Sequence, residues 1–189
     1  MNRDGFLIII VAPSGTGKST LIKRLMKDLP ELKWSTSYTT RPPRTGEVHG
    51  ENYFFVSLEE FQSMLNSQDF LEYAVVHSNY YGTSKTFIND RLSAGDVILL
   101  DLDVQGADRV KAHFKNRAKA IFIEPPSIEE LERRLRDRGT ESDQVISERI
   151  QNAKNELLKK NSYDFLILND DIEKAYQRLK SLVSDLCRK

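Results

Sequence analysis

The sequence predicts an α/β fold on a parallel core sheet, and three features carry that expectation. Several short runs are continuously apolar and β-branched, each is followed by apolar residues at helical spacing, and a glycine-rich turn joins the first such pair. Phe6-Leu-Ile-Ile-Ile-Val11 reads as a strand covered on both faces, and the run is far too short to span a bilayer. From Lys18, the residues Leu21, Ile22, Leu25, Met26 and Leu29 form a helical stripe that Pro30 ends. Val97 to Asp103, Ala120 to Ile123 and Phe165 to Leu168 repeat the strand signature, each with a helical stretch downstream. In the last helix Ile172, Ala175, Tyr176, Leu179, Leu182, Val183 and Leu186 make one apolar stripe.

Two segments interrupt this rhythm. Residues from about Trp34 to Gly95 are rich in Thr, Tyr and Phe, with candidate strands near Tyr53 to Val56 and Phe70 to Val76, and read as a small mixed lobe. Ser57 with Glu60 forms a capping box that starts a helix inside it. The second interruption runs from Pro125 to about Asn161 and opens with another box, Ser127 with Glu130. Its charged helices show little apolar surface, so loose packing is expected.

A chain of 189 residues has room for one domain with a core and small inserted lobes. With 39% hydrophobic and 30% charged residues it is expected to fold rather than stay disordered. Lys plus Arg and Asp plus Glu both number 28, so net charge supplies no attraction to nucleic acid or an anionic membrane. The sole cysteine, Cys187, cannot form an intramolecular disulfide, which fits a reducing cytoplasm. His49, His77 and His113 have no metal-ligand spacing. Composition leaves the oligomeric state open.

The strongest chemical signal is Ala12-Pro13-Ser14-Gly15-Thr16-Gly17-Lys18-Ser19-Thr20, between the first strand and first helix. Glycines allow a tight turn whose N–H groups point inward, and the helix N-terminus adds partial positive charge. Lys18 can reach the outer phosphates of a nucleoside triphosphate, and Ser19 can ligate Mg2+. Ala12 stands where the general pattern has its first glycine. In the lobe, the extended prolines of Arg41-Pro-Pro-Arg44 would set both guanidinium groups on one side, facing a phosphate. On that stretch alone a solvated basic turn is an equal alternative.

These motifs, with Tyr38 to Glu47, Asn79 to Thr83, Leu100 to Gly106 and Leu168 to Asp171, occur in the order found in guanylate kinases. The chain resembles that family from about Phe6 to Leu186, and its length is similar to a stand-alone bacterial-type enzyme. The resemblance implies a P-loop kinase with a parallel core sheet (1–33, 97–126 and 162–189), an inserted GMP-binding lobe (34–96) and a mobile lid (127–161). It implies transfer of the γ-phosphoryl of ATP to GMP, with Mg2+, in purine nucleotide metabolism, with dGMP also expected as an acceptor. Residues 12–20 with Arg134, Asn169 and Asp170 would bind ATP. Ser37, Arg41, Arg44, Glu47, Tyr53, Glu72, Tyr81, Gly82, Thr83 and Asp101 would bind GMP, and Lys18, Arg44, Arg138 and Arg149 would serve catalysis. Ser19 and Asp101 are the expected magnesium residues, directly or through water.

Guanine chemistry suits part of this set. Its N1–H and N2 amino group are donors, which Glu72 and Asp101 can accept, and Ser37 and Thr83 can donate to its acceptors. Taken singly, Tyr53 also reads as core and Glu72 as the polar face of a strand. Asp101 and Asp103 alternate onto one face at the end of a strand, where α/β sheets bind ligands, and sequence leaves open whether Asp101 serves the metal shell, guanine or an arginine. The lid arginines alone read as a solvated helix face, and Asp170 or Asp171 as a helix cap. Two rivals remain: a scaffold-type guanylate kinase-like module that binds phosphorylated or acidic peptides, opposed by Lys18, Ser19 and the lid arginines, and a kinase for another small phosphorylated acceptor, opposed by Glu72, Asp101, Ser37 and Thr83.

Overall fold

The computed structural model describes residues 5–76, 78–137, 139 and 142–188. The chain divides into two compact units, Met1–Leu7 with Glu31–Ala118, and Ile8–Pro30 with Lys119–Lys189. A five-stranded sheet runs in the order β2-β7-β1-β8-β9, where β1 is Phe6–Val11, β2 Lys33–Trp34, β7 Val97–Asp101, β8 Ala118–Glu124 and β9 Phe165–Leu168. The pairs β2–β7 and β8–β9 are parallel, as the apolar runs require. The boundary between the units falls within β1.

The first unit also holds a four-stranded sheet in the order β4-β3-β6-β5, made of β3 (Tyr38–Thr39), β4 (Phe54–Phe55), β5 (Phe70–Val76) and β6 (Asn79–Ser84). Aromatic residues fill it: Phe61 stacks on Phe70 at 4.4 Å, and Tyr38 on Phe54 at 4.7 Å. Phe61 comes from α2 (Leu58–Asn66), whose capping box is complete, with Ser57 and Glu60 each accepting the other's backbone N–H. Helices α3 (Lys85–Ser93) and α4 (Val104–Phe114) pack on β5. Asp103 lies outside β7, contrary to the strand reading: it is the N-cap of α4 and accepts the Gly106 N–H at 2.8 Å. A helix start needs such an acceptor, and that need outweighs strand alternation here.

In the second unit α1 (Lys18–Asp28) packs along α7 (Ile172–Cys187). Leu21, Leu25, Ala175, Leu179 and Val183 are fully buried, each large aliphatic contributing about 1.5–3 kcal/mol. Ile172 is exposed, because it sits in the first turn of the helix before the stripe meets its partners. Between β8 and β9 lie α5 (Ile128–Asp137) and α6 (Asp143–Leu158). They do not pack loosely: Leu131, Leu135, Ile146, Ile150 and Ala153 form a buried seam with Ile128 against it. The charges on the opposite faces hide this narrow seam in the sequence. Ser127 accepts the Glu130 N–H, whereas the Glu130 carboxylate binds Arg133 and Arg134 instead of completing the box.

Candidate functional site

The phosphate loop is shaped by two glycines with left-handed backbone, Gly15 at φ 90° and Gly17 at φ 93°, a region most side chains avoid. Gly17 leads directly into α1. Helices α2, α3, α4, α6 and α7 each receive a Ser or Asp side chain at their N-cap, and Ser127 serves α5. Among the described α-helices α1 alone has neither a side-chain cap nor an acidic residue in its first turn. Its N-terminal amides and partial positive charge therefore stay available for an anion. Ala12, Pro13 and Thr16 are buried, Ser14, Gly15, Gly17 and Lys18 half-buried, and Ser19 and Thr20 exposed. Ala12 follows the last residue of β1 and is buried.

The α5–α6 segment reaches this loop within the same unit. Arg149 donates from Nη1 to the Ser14 hydroxyl at 2.7 Å. A side chain on Gly15 would approach Leu135 Cδ2 to 2.9 Å, so the apolar seam abuts the loop's outer turn. Arg134 donates to Glu130 at 2.8 Å and to the main-chain oxygen of Asn169 at 3.3 Å. Asn169 is buried at the end of β9, and its side-chain Nδ2 donates to the Thr16 carbonyl at 2.6 Å. Asp170 is exposed and accepts the Asp171 N–H, while Asp171 caps α7 through the Glu173 and Lys174 N–H groups. Arg138 lies outside the described residues.

The acceptor candidates in the first unit form two groups. Around Glu47, the Arg41 guanidinium donates to both carboxylate oxygens at 2.9 Å, and the Arg44 backbone N–H donates at 2.7 Å. Burial would raise the Glu47 carboxyl, but these two donors hold it below the usual carboxylate range. Arg41 also lies 5.5 Å over the Tyr53 ring, and Tyr53 meets Tyr81 edge-on at 5.8 Å. The Tyr53 hydroxyl is pushed up, first by burial and then by the negative charge of Asp101. The Arg44 side chain is exposed, so the two arginines meet at Glu47 through different groups.

The second group centres on Glu72. A one-residue register shift between Phe70 and Glu72 lets Glu72 face Thr83 across β5 and β6. Thr83, fully buried, donates its hydroxyl to Glu72 at 2.6 Å. Tyr81 and Thr83 share one face of β6 by alternation, which joins the two groups. Burial pushes the Glu72 carboxyl up to about 7; Thr83 opposes that, Asp103 adds to it, and Arg109 opposes it. Gly82 makes room for the Phe70 ring, which a side chain there would meet at 2.7 Å. Ser37 and Asp101 are half-buried.

Spacing alone does not single out Gly106 or Arg109. A side chain on Gly106 would lie 2.6 Å from Glu72 Oε2, and Arg109 donates to the Tyr73 carbonyl beside Glu72. Both contacts cross from α4 to β5, a pairing that no local pattern encodes. The glycine within the Asp-Val-Gln-Gly turn after β7 is the signal that marks close approach.

The family profile described as guanylate kinase matches residues 5–186. Guanylate kinase of Geobacter sulfurreducens is 46% identical over 189 residues, covering all of this chain and 93% of its own. That of Buchnera aphidicola is 48% identical over 182 residues, covering 95% of this chain and 87% of its own. A crystal structure of guanylate kinase from Anaplasma phagocytophilum superposes with a TM-score of 0.81 at 31% identity, covering 98% of this chain and 87% of that one. The chain belongs to the guanylate kinase family, enzymes that phosphorylate GMP using ATP.

Proposed function

We infer that this chain transfers the γ-phosphoryl of ATP to GMP, giving ADP and GDP, and that its selectivity for guanine resides in Glu72. The observation that carries this reading is the buried Glu72 carboxylate, held by the Thr83 hydroxyl and left with acceptor capacity. A base whose N1–H and N2 amino group both donate supplies what such a group needs, and adenine does not. Lys18 and the loop amides would hold the β- and γ-phosphates. Arg41, Arg44, Tyr53 and Tyr81 would hold the acceptor phosphate, with Glu47 orienting both arginines. Ser37, Asp101 and Thr83 would complete the guanine contacts, and Arg134, Asn169 and Asp170 the adenine side.

Transfer would proceed in line, without a covalent enzyme intermediate. The attacking phosphate oxygen is already ionised, so positioning and charge stabilisation carry the rate and no general base is needed. Arg138 and Arg149 would meet the charge spreading over the transferring group. The contact of Arg149 with Ser14 supports a lid at 127–161 that closes on the loop and excludes water. The four-stranded sheet between Tyr38 and Ser84 supports a GMP-binding lobe at 34–96, the remainder forming the core.

Mg2+ fits the donors present. The exposed Ser19 hydroxyl is a hard oxygen in the first turn of α1, and Asp101 would act through water. Among the described residues no cluster of three or more His, Cys, Asp or Glu could cage an ion, which suits a metal that arrives on the nucleotide phosphates. When bound, the ion would neutralise phosphate charge. None of the residues proposed for the site is assigned to a ribose 2′-hydroxyl, so dGMP should also be phosphorylated; a rate below about a thousandth of that with GMP would contradict this. We take the enzyme to be cytoplasmic, which its single cysteine suits; no described helix is long and apolar enough to cross a membrane.

The test is ADP production from ATP and Mg2+ with GMP, AMP, CMP or UMP, on the native chain and on Lys18→Ala. Turnover with GMP alone, lost in the variant, is expected. Turnover with every acceptor would remove the guanine assignment, and GMP binding without turnover would favour a binding module.

A further inference from the structure

Asn169 is more than a neighbour of the base. It stands where three parts of the second unit meet. Its backbone N–H donates to the Glu124 carbonyl at 2.9 Å, extending the β8–β9 ladder by one bond. Its carbonyl accepts from Arg134 of α5, and its side chain reaches the phosphate loop at Thr16. Thr16 and Asn169 are 0% and 2% exposed, so the bond between them is shielded from water. A carbonyl oxygen only accepts, so the amide nitrogen must face Thr16. Among the described residues Asn169 Oδ1 has no partner, which leaves this one donor bond to fix the amide. The contact is close enough to constrain the sequence of the loop. A Cβ on Gly17 would lie 2.8 Å from Asn169 Nδ2.

The consequence follows from peptide geometry. No described peptide bond is cis, and in a trans peptide the C=O and the following N–H point to opposite sides. Drawing the Thr16 carbonyl outward to Asn169 therefore turns the Gly17 N–H inward, the side on which such a loop gathers its amides around phosphate. We propose that Asn169 is a positioning residue for phosphoryl transfer: its side-chain amide locks the Thr16–Gly17 peptide plane so that the Gly17 N–H is presented to the nucleotide phosphates. This rests on residues 12–20 holding the phosphates of ATP. It assigns Asn169 a role on the phosphates in addition to any contact with adenine.

The test combines two variants with a probe that has no base. Inorganic tripolyphosphate is titrated as a competitor of ATP on the native chain, Asn169→Ala and Asn169→Asp, with thermal melts to establish folding. In Asn169→Ala the inhibition constant for tripolyphosphate and the KM for ATP should rise by a similar factor, about tenfold. kcat should fall by about tenfold or more, because charge on the phosphates grows in the transition state, while the KM for GMP stays within about twofold. Asn169→Asp keeps the volume but donates only when its carboxyl is neutral. Its kcat relative to native should thus recover as pH falls, a response that a packing role would not produce.

An ATP KM that rises while tripolyphosphate inhibition stays native would show that Asn169 serves the base only and would overturn the proposal. So would native kinetics in both variants, or a loss in Asn169→Asp that does not change with pH. If tripolyphosphate fails to compete with ATP on the native chain, the loop reading itself falls, and the proposal with it.

Discussion

The phosphate loop at residues 12–20 would present mainly peptide groups, together with Lys18, to its ligand, whereas the acceptor candidates spread from Ser37 to Asp101 would present side chains. Peptide recognition needs only a contiguous stretch, two left-handed glycines and an uncapped helix. Side-chain recognition of a base, as proposed, would draw on residues in or beside β3, β5, β6 and the end of β7, among them the buried Glu72 carboxyl, whose pKa rises to about 7. The first device rests mainly on peptide groups, which do not titrate. The second contains a titratable group, and any fidelity it supplies would come at a cost in stability.

Glu72 and Glu47 show the sign of that cost. A carboxyl whose folded pKa is raised holds its proton more tightly in the folded state. Glu72 therefore favours the fold most below about 4.5, its unfolded value, and that advantage is lost as pH rises towards about 7. Glu47, held low by Arg44 and Arg41, contributes stability above its unfolded value of 4.5 and loses it as pH falls through its lower folded value.

The sharpest break of the contrast comes from removing one charge on each side. Lys18→Ala should lower kcat by about 10³-fold or more, with GMP affinity intact, as measured by single-turnover transfer and GMP calorimetry. Glu72→Gln should lower kcat/KM for GMP by about 10²–10³-fold and narrow the preference over AMP. The same variant should melt at a higher temperature than native at pH 8 and show no such gain at pH 4.5; equal melting shifts at both would remove the burial argument.

Packing changes come next. Leu135→Ala opens the α5–α6 seam behind Gly15 and should cost about 2–5 kcal/mol in urea unfolding, which a loosely packed segment would not. Gly106→Ala should push Glu72 aside and raise the KM for GMP by about tenfold while leaving that for ATP unchanged. At the small end, Arg133→Ala removes exposed pairs with Glu130 and Asp137 and should change stability by less than about 0.5 kcal/mol.

How much of this was legible in the sequence follows the same division. The core strands, the first and last helices, the Ser57 box and the phosphate loop are local patterns, and the structure has them where the patterns put them. Asp103 departs from strand alternation because a helix start three residues before Gly106 needs its side chain. The close packing of α5 on α6 departs from the loose packing expected, because its five buried apolar residues are dispersed among charges. Glu72, assigned to GMP by the resemblance, reads on its own as the polar face of a strand, and only the one-residue shift in β5 pairs it with Thr83. Gly106 and Asn169 act through contacts with residues far along the chain, which spacing cannot encode.

The most direct measurement is the pH dependence of selectivity: the ratio of kcat/KM for GMP to that for AMP, between pH 5.5 and 8.5. The acceptor phosphates titrate alike and cancel in the ratio, which leaves the enzyme's own recognition of the base. The ratio should climb through about pH 7 in the native chain, where Glu72 ionises, and be low and flat in Glu72→Gln. A native ratio that stays high and constant across that range would contradict the assignment of guanine selectivity to a buried, titrating Glu72.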